Sequence, residues 1–115
     1  MNPLHYELSH FGIRTVIVEP GYTAPGMKRS ERHVGPIDYA ELWRQWAGVD
    51  QAVTGPAGRP DPATVGAAIA DAIEDPATPL RVRCGADSEL VLAARDRLDD
   101  AAFESAMRSL LDISW

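Results

Sequence analysis

Residues 13–18, Ile13-Arg14-Thr15-Val16-Ile17-Val18, carry five β-branched side chains, with three aliphatic residues in a row at Val16, Ile17 and Val18. A strand with one face in water alternates apolar and polar positions. An unbroken apolar run suits a strand covered on both faces, as in a parallel sheet with helices on each side. Pro20-Gly21 stops the run abruptly, so the spacing predicts a strand over 13–19. Such a strand needs neighbours on both edges. Each backbone amide left uncovered in an apolar setting costs roughly 1–3 kcal/mol, against a total stability of about 5–15 kcal/mol, so the chain alone is expected to be marginally stable.

Around this run the periodicity of the other segments is readable. Leu4, Leu8 and Phe11 recur at i, i+4 and i+7, which predicts a helix over 3–10 with Gly12 at its left-handed C-terminal position. Asp38, followed three residues on by Glu41, has the pattern of a capping box. Leu42, Trp43 and Trp46 then fall on one helical face, and Gly48 closes that helix. The stretch from Gln51 to Arg59 has no clear period and reads as irregular. Asp61-Pro62 is a strong helix start, and Val65, Ala68, Ile69, Ala72 and Ile73 form an apolar stripe behind it. Leu80-Arg81-Val82-Arg83-Cys84 alternates like a short edge strand, and residues 88–98 and 100–111 read as two closing helices. The result is α/β alternation with only two convincing strands, which make a poor sheet by themselves.

Composition removes several function classes. The chain has 115 residues, enough for one small domain. A hydrophobic share of 45% with 24% charged residues excludes wholesale disorder. A net charge of −6 is a poor match for phosphate backbones or anionic lipid, so neither nucleic acid nor a membrane is an expected partner. The single cysteine, Cys84, can form neither an internal disulfide nor a thiolate zinc site, and a small buried thiol is its default role. No apolar run approaches the ~20 residues of a membrane span. The first residues include His5, Glu7 and His10 and lack a signal-peptide core. A cytoplasmic protein is therefore expected.

Glu7-Leu8-Ser9-His10-Phe11-Gly12-Ile13-Arg14, followed by a strand ending in Glu19-Pro20-Gly21, resembles the late central region of short-chain dehydrogenases/reductases. In that family a helix ending in Glu-Leu-x-x-Phe-Gly-Ile-Arg leads into a sheet strand ending in Glu-Pro-Gly or Asn-Pro-Gly. The remaining order is similar: a substrate loop, a helix start at Asp61-Pro62-Ala63, a short strand and Gly85-Ala86-Asp87. The resemblance implies an incomplete Rossmann-type (doubly wound) α/β fold that retains only its last strands and helices. On this reading residues 1–115 form the C-terminal part of the domain. Residues 3–11 end the catalytic helix, 13–19 are a strand, 20–60 hold the substrate loop, and 61–115 hold the last strand and closing helices.

The same resemblance implies NAD(P)-dependent hydride transfer between an alcohol and a carbonyl, with NAD or NADP as cofactor and a small alcohol or carbonyl as substrate. Pro20, Gly21, Tyr22 and Thr23 occupy the stretch that lies along the nicotinamide in the family. The family often has threonine four residues after the glycine; Pro25 stands there in this chain. Trp43 and Trp46 fall where the family caps its substrate cleft, although packing of a helix face explains them equally well. Family members commonly form dimers or tetramers, so a homo- or hetero-oligomer is a further expectation.

Two parts of the family's machinery have no counterpart in these residues. A Gly-rich turn between a strand and a helix holds the pyrophosphate through backbone amides; Gly55–Gly58 lies in a proline-rich stretch with no predicted strand before it. A Tyr-x-x-x-Lys pair transfers the proton, the lysine lowering the tyrosine pKa by its charge. Here Tyr6 leads to His10, Tyr22 to Gly26 and Tyr39 to Trp43, and the one lysine, Lys28, follows Ala24. By resemblance the pair would precede Met1. The chain is therefore expected to be inactive alone. A non-catalytic module that docks on a related full-length subunit is the alternative, and a start upstream of Met1 is a third possibility.

Other chemistry-bearing residues carry weaker signals. His5 and His10 are five apart and fall on different helix faces, unlike helical zinc ligands at i, i+4, and His33 stands alone. Ser9-His10 lacks a nucleophile-elbow context. Lys28, Arg29 and Arg32, beside Glu31, form the one basic cluster and read as a solvated loop.

Overall fold

The computed structural model describes residues 2–24 and 35–115. Lys28, Arg29, Glu31, Arg32 and His33 of the basic loop, and Pro25, lie outside the described residues. The first helix, α1 (Pro3–His10), is opened by the Asn2 side chain, which accepts from the His5 amide, and by proline at its first position. It ends as the sequence predicts. Gly12 is left-handed at φ 71°, its amide donates to Ser9 O at 3.0 Å, and the Ile13 amide donates to Leu8 O at 3.1 Å. These two bonds form a Schellman cap that only glycine enters without strain.

The chain next forms β1 (Ile17–Pro20), which pairs in parallel with β2 (Arg81–Cys84). Ile17 stands opposite Arg81, and Pro20 opposite Cys84. The ladder is closed at its ends by Ile17 N to Leu80 O at 2.7 Å and Gly21 N to Cys84 O at 3.0 Å. The predicted strand over 13–19 is thus corrected: residues 13–16 lie outside the sheet and Pro20 lies inside it. Only four residues of β2 are available as partner, so the register sets the length of β1. β1 is also half-buried rather than covered on both faces.

Arg14 has another role instead. Its guanidinium donates to Ala72 O at 2.6 Å and Ile73 O at 2.7 Å, two carbonyls in the last turn of α4 (Pro62–Glu74). That turn has no basic residue of its own, so Arg14 supplies both the donors and the positive charge that a helix C-terminus favours. At its other end α4 begins as expected, with the Asp61 side chain accepting from the Ala63 amide at 2.7 Å.

Between the strands two expectations are corrected. Asp38 does not cap a helix. It lies inside a single 3₁₀ turn, Ile37–Tyr39, and α2 (Ala40–Trp46) follows with no side-chain cap. The fixed φ of Pro36 starts the turn one step early, with the Tyr39 amide donating to Pro36 O at 2.9 Å. The stretch from Gln51, read as irregular, instead holds most of α3 (Val49–Thr54). The last two helices, α5 (Ala86–Arg97) and α6 (Asp100–Leu111), match their predicted places within two residues.

The described residues therefore make a mixed α/β arrangement, mostly helical, with one two-stranded parallel sheet. Successive side chains of β2 address different helices. The Cys84 thiol points at Thr64 O of α4, while Arg83 pairs with Glu89 and Asp96 of α5. α3, α5 and α6 pack on one another. Burial is sparse: among the described residues Val49, Ala72 and Cys84 are the buried apolar ones, whereas Phe11 is 75% exposed and Ile73 70%. The radius of gyration, 17.6 Å, exceeds the about 13 Å of a closed domain of this length.

No helix among the described residues is long and apolar enough to cross a membrane.

Candidate functional site

The carboxyl ends of β1 and β2 open into a cleft of about 720 Å³. Open α/β sheets bind ligands in this position, and the volume falls within the roughly 300–1,000 Å³ of small-molecule sites. The floor is built from Glu19, Pro20, Gly21 and Tyr22 after β1, and from Asp87 and Ser88 at the start of α5. The walls are Trp46, Val49 and Val53 on the α2–α3 side, Val91 and Leu92 of α5, and Phe103, Met107 and Leu111 of α6. The helical period explains the last set: Phe103, Met107 and Leu111 recur every four residues and face one way.

Two consecutive polar residues fasten the floor. Asp87 is only 6% exposed, and its carboxylate accepts the Tyr22 amide at 2.6 Å. Ser88, also buried, donates its hydroxyl to Glu19 O at 2.6 Å. Both stand in the first turn of α5, where a carboxylate is favoured by the unpaired amides and the helix dipole. Gly21 is required here by space. A Cβ at that position would lie 2.0 Å from the Asp87 carboxylate, so a side chain would force the two segments apart.

The sequence-derived residues divide between the cleft and its surroundings. Pro20, Gly21, Tyr22 and Trp46 line it. Thr23 stands outside the lining; its hydroxyl donates to Gly21 O at 3.2 Å. Trp43 also stands outside the lining and is exposed, with its indole beside Gly35. The Tyr22 ring is covered by the Arg59 guanidinium at 5.0 Å, and Arg59 in turn pairs with Asp50 at 2.8 Å. The Ala24 amide donates to Pro60 O at 2.9 Å, which ties the segment after β1 to the approach of α4. Asp87 and Ser88 are the site residues that sequence reasoning missed. The signal was available in Gly85-x-Asp directly after a predicted strand, since Gly85 adopts φ 106° and turns the chain into α5.

No protein-family model, curated protein or solved structure matches the chain. Among the described residues no group of three or more His, Cys, Asp or Glu side chains is placed to hold a metal. Gly55–Gly58 forms a tight turn, with the Gly58 amide donating to Gly55 O at 3.1 Å, and it follows α3 rather than a strand. That context differs from a strand-to-helix loop that cradles phosphate.

The marked electrostatic feature lies away from the cleft, on α2. Arg44 grips Glu41 through two hydrogen bonds, at 2.5 and 2.8 Å, and Gln45 adds a third at 2.8 Å. Arg44 first and Gln45 second hold the Glu41 carboxyl down at about 2. Arg83, bonded to Asp96 and Glu89, is held in its charged form still more firmly than an ordinary arginine.

Proposed function

We propose that this chain is the C-terminal part of an NAD(P)-dependent short-chain dehydrogenase/reductase, carrying the substrate side of the cleft and lacking the groups that hold the cofactor and move the proton. The observation that carries this reading is the Pro20-Gly21-Tyr22 turn. It leaves the carboxyl end of one parallel strand, rests on Asp87 at the end of the next, and floors an apolar cleft. Ligand sites of open α/β sheets lie at such strand ends.

On this reading β1 and β2 are the last strands of an incomplete Rossmann-type sheet. Pro20, Gly21, Tyr22 and Thr23 would lie along the nicotinamide of NAD or NADP, and Trp46 along the substrate, an alcohol or carbonyl. The cofactor's part is to accept or donate the hydride. The residues present fit only one edge of it: they offer a turn and an apolar wall, and no cradle for the pyrophosphate among the described residues.

The purified chain should therefore neither bind NADH or NADPH with micromolar affinity nor oxidise an alcohol above background. Calorimetric titration with each nucleotide, together with absorbance at the reduced-nicotinamide band, tests this. Micromolar binding by the chain alone would overturn it.

A second reading, a non-catalytic module that docks on a related subunit, is favoured by the apolar surface left open around α1 and α4. Phe11, Ile13 and Ile73 are exposed, and the Thr15 hydroxyl is buried without a hydrogen-bond partner. Monomeric soluble proteins rarely leave large contiguous apolar patches in water. A strictly monomeric, well-folded species by size exclusion would count against docking.

A further inference from the structure

We infer that the cleft at the strand ends selects a neutral apolar alcohol, or the corresponding ketone, over an anionic amphiphile of the same chain length. The inference rests on the reading above for its reaction class and names the substrate class of the same site. Its walls are aliphatic and aromatic throughout, with Val91, Leu92, Phe103 and Met107 on two helices facing Trp46 and Val53. Apolar walls bind by area removed from water and do not discriminate between one alkyl chain and another of equal length. Selection must come from the floor.

Among the described lining residues the charged ones are Glu19 and Asp87, both acidic. Glu19 is paired with Arg81. Asp87 is nine-tenths buried and receives one backbone amide, from Tyr22, on Oδ2. An unlike charge would be welcome at that floor and a like charge would not, because two anions in a partly desolvated site repel more strongly than in water. A carboxylate headgroup brought to the floor meets Asp87. A hydroxyl can donate to it, and a ketone meets it without a charge. The described lining contains no lysine, arginine or histidine to reverse that preference.

The test uses the whole chain and the neutral fluorescent probe phenylnaphthylamine, displaced at neutral pH by decanol, decanone or decanoate. Decanol and decanone should displace it at concentrations about tenfold lower than decanoate, the scale expected of one like-charge contact in a partly wet site. Because an ionised headgroup also favours water, the diagnostic arm is Asp87→Asn. This change keeps an oxygen for the Tyr22 amide and removes the charge, and it should narrow the gap several-fold, leaving the part set by hydration of the ionised headgroup. A gap that is absent in the unaltered chain, or unchanged in Asp87→Asn, overturns the inference.

A second measurement needs no variant. On addition of decanol, the methyl resonances of Val91, Leu92 and Met107 should shift, and shifts confined to the exposed Leu4, Ile13 and Ile73 would place the ligand elsewhere and overturn it. No nicotinamide enters either experiment. Failure here thus refutes the substrate class and leaves the oxidoreductase reading standing, whereas micromolar nucleotide binding by the chain alone would refute that reading and leave the cleft's preference intact.

Discussion

The Asp87 carboxylate fills the space beside Gly21 that a Cβ would occupy, 2.0 Å from its nearest oxygen, and from there accepts the Tyr22 amide at 2.6 Å. One contact thereby joins the ends of two strands 66 residues apart in sequence, Gly21 to Asp87. It also sets the shape of the cleft floor.

Substitution at either member should reveal the join. Asp87→Ala strands the Tyr22 amide in a part-buried place and should cost about 1–3 kcal/mol, with Asp87→Asn closer to neutral. Gly21→Ala forces a methyl group into the carboxylate and should cost about 1–3 kcal/mol. Urea unfolding measures both, and exchange of the Tyr22 amide should accelerate in Asp87→Ala before global unfolding does.

Arg14 should matter to a helix 58 residues away. Its two hydrogen bonds to Ala72 O and Ile73 O close the end of α4. Arg14→Met keeps the aliphatic stem and removes the donors, and should cost about 1 kcal/mol. Because the lost bonds are at one end, fraying should be confined to the last turn of α4, read as faster amide exchange at residues 72–75 with the first turn unchanged.

The strand-and-helix grammar explains how much of this arrangement was legible in the sequence. The ends of α1 and α4 are encoded locally, by Gly12 and by Asp61-Pro62, and the structure places both as the residues predict. β1 is misplaced by the same reading because its limits are set by its partner: the apolar run from Ile13 continues past the four residues that β2 can pair. α3 escapes periodicity because six residues between Gly48 and Gly55 are too few to show a period. Its anchor is tertiary, the burial of Val49 against α5 and α6. Gly85-x-Asp marks the turn into α5, yet it does not reveal what Asp87 holds, because the partner, the Tyr22 backbone amide, has no sequence signature. Trp43 and Trp46 fall near each other on α2, yet only Trp46 reaches the cleft.

The acid response of α2 has a defined sign. Glu41 titrates at about 2 in the folded chain against an ordinary 4.5. A lowered folded value means that the carboxylate's contribution is complete above 4.5 and is lost as pH falls through the interval down to about 2. Carboxyl-carbon resonances of Glu41 should show a midpoint near the low value, and Arg44→Ala should return it toward the ordinary range.

Gln45 should control the last residues. Its Oε1 accepts from the Ser114 and Trp115 amides at 2.9 and 3.2 Å, and its Nε2 donates to the Ser114 hydroxyl at 3.2 Å. The Trp115 ring rests on Tyr39 at 5.5 Å. Gln45→Ala should release residues 114–115, seen as loss of amide protection there with α6 intact. Gln45→Glu retains the two accepted bonds and should hold them.

On the proposed reading α1, β1 and β2 complete a larger nucleotide-binding sheet, and sequencing the coding DNA upstream of the Met1 codon decides between that reading and its rival. The reading frame should continue upstream of α1 and encode a Tyr-x-x-x-Lys pair on the same helix, with a Gly-rich strand-to-helix turn further upstream. A frame closed before Met1, or an open one without that pair, would contradict it.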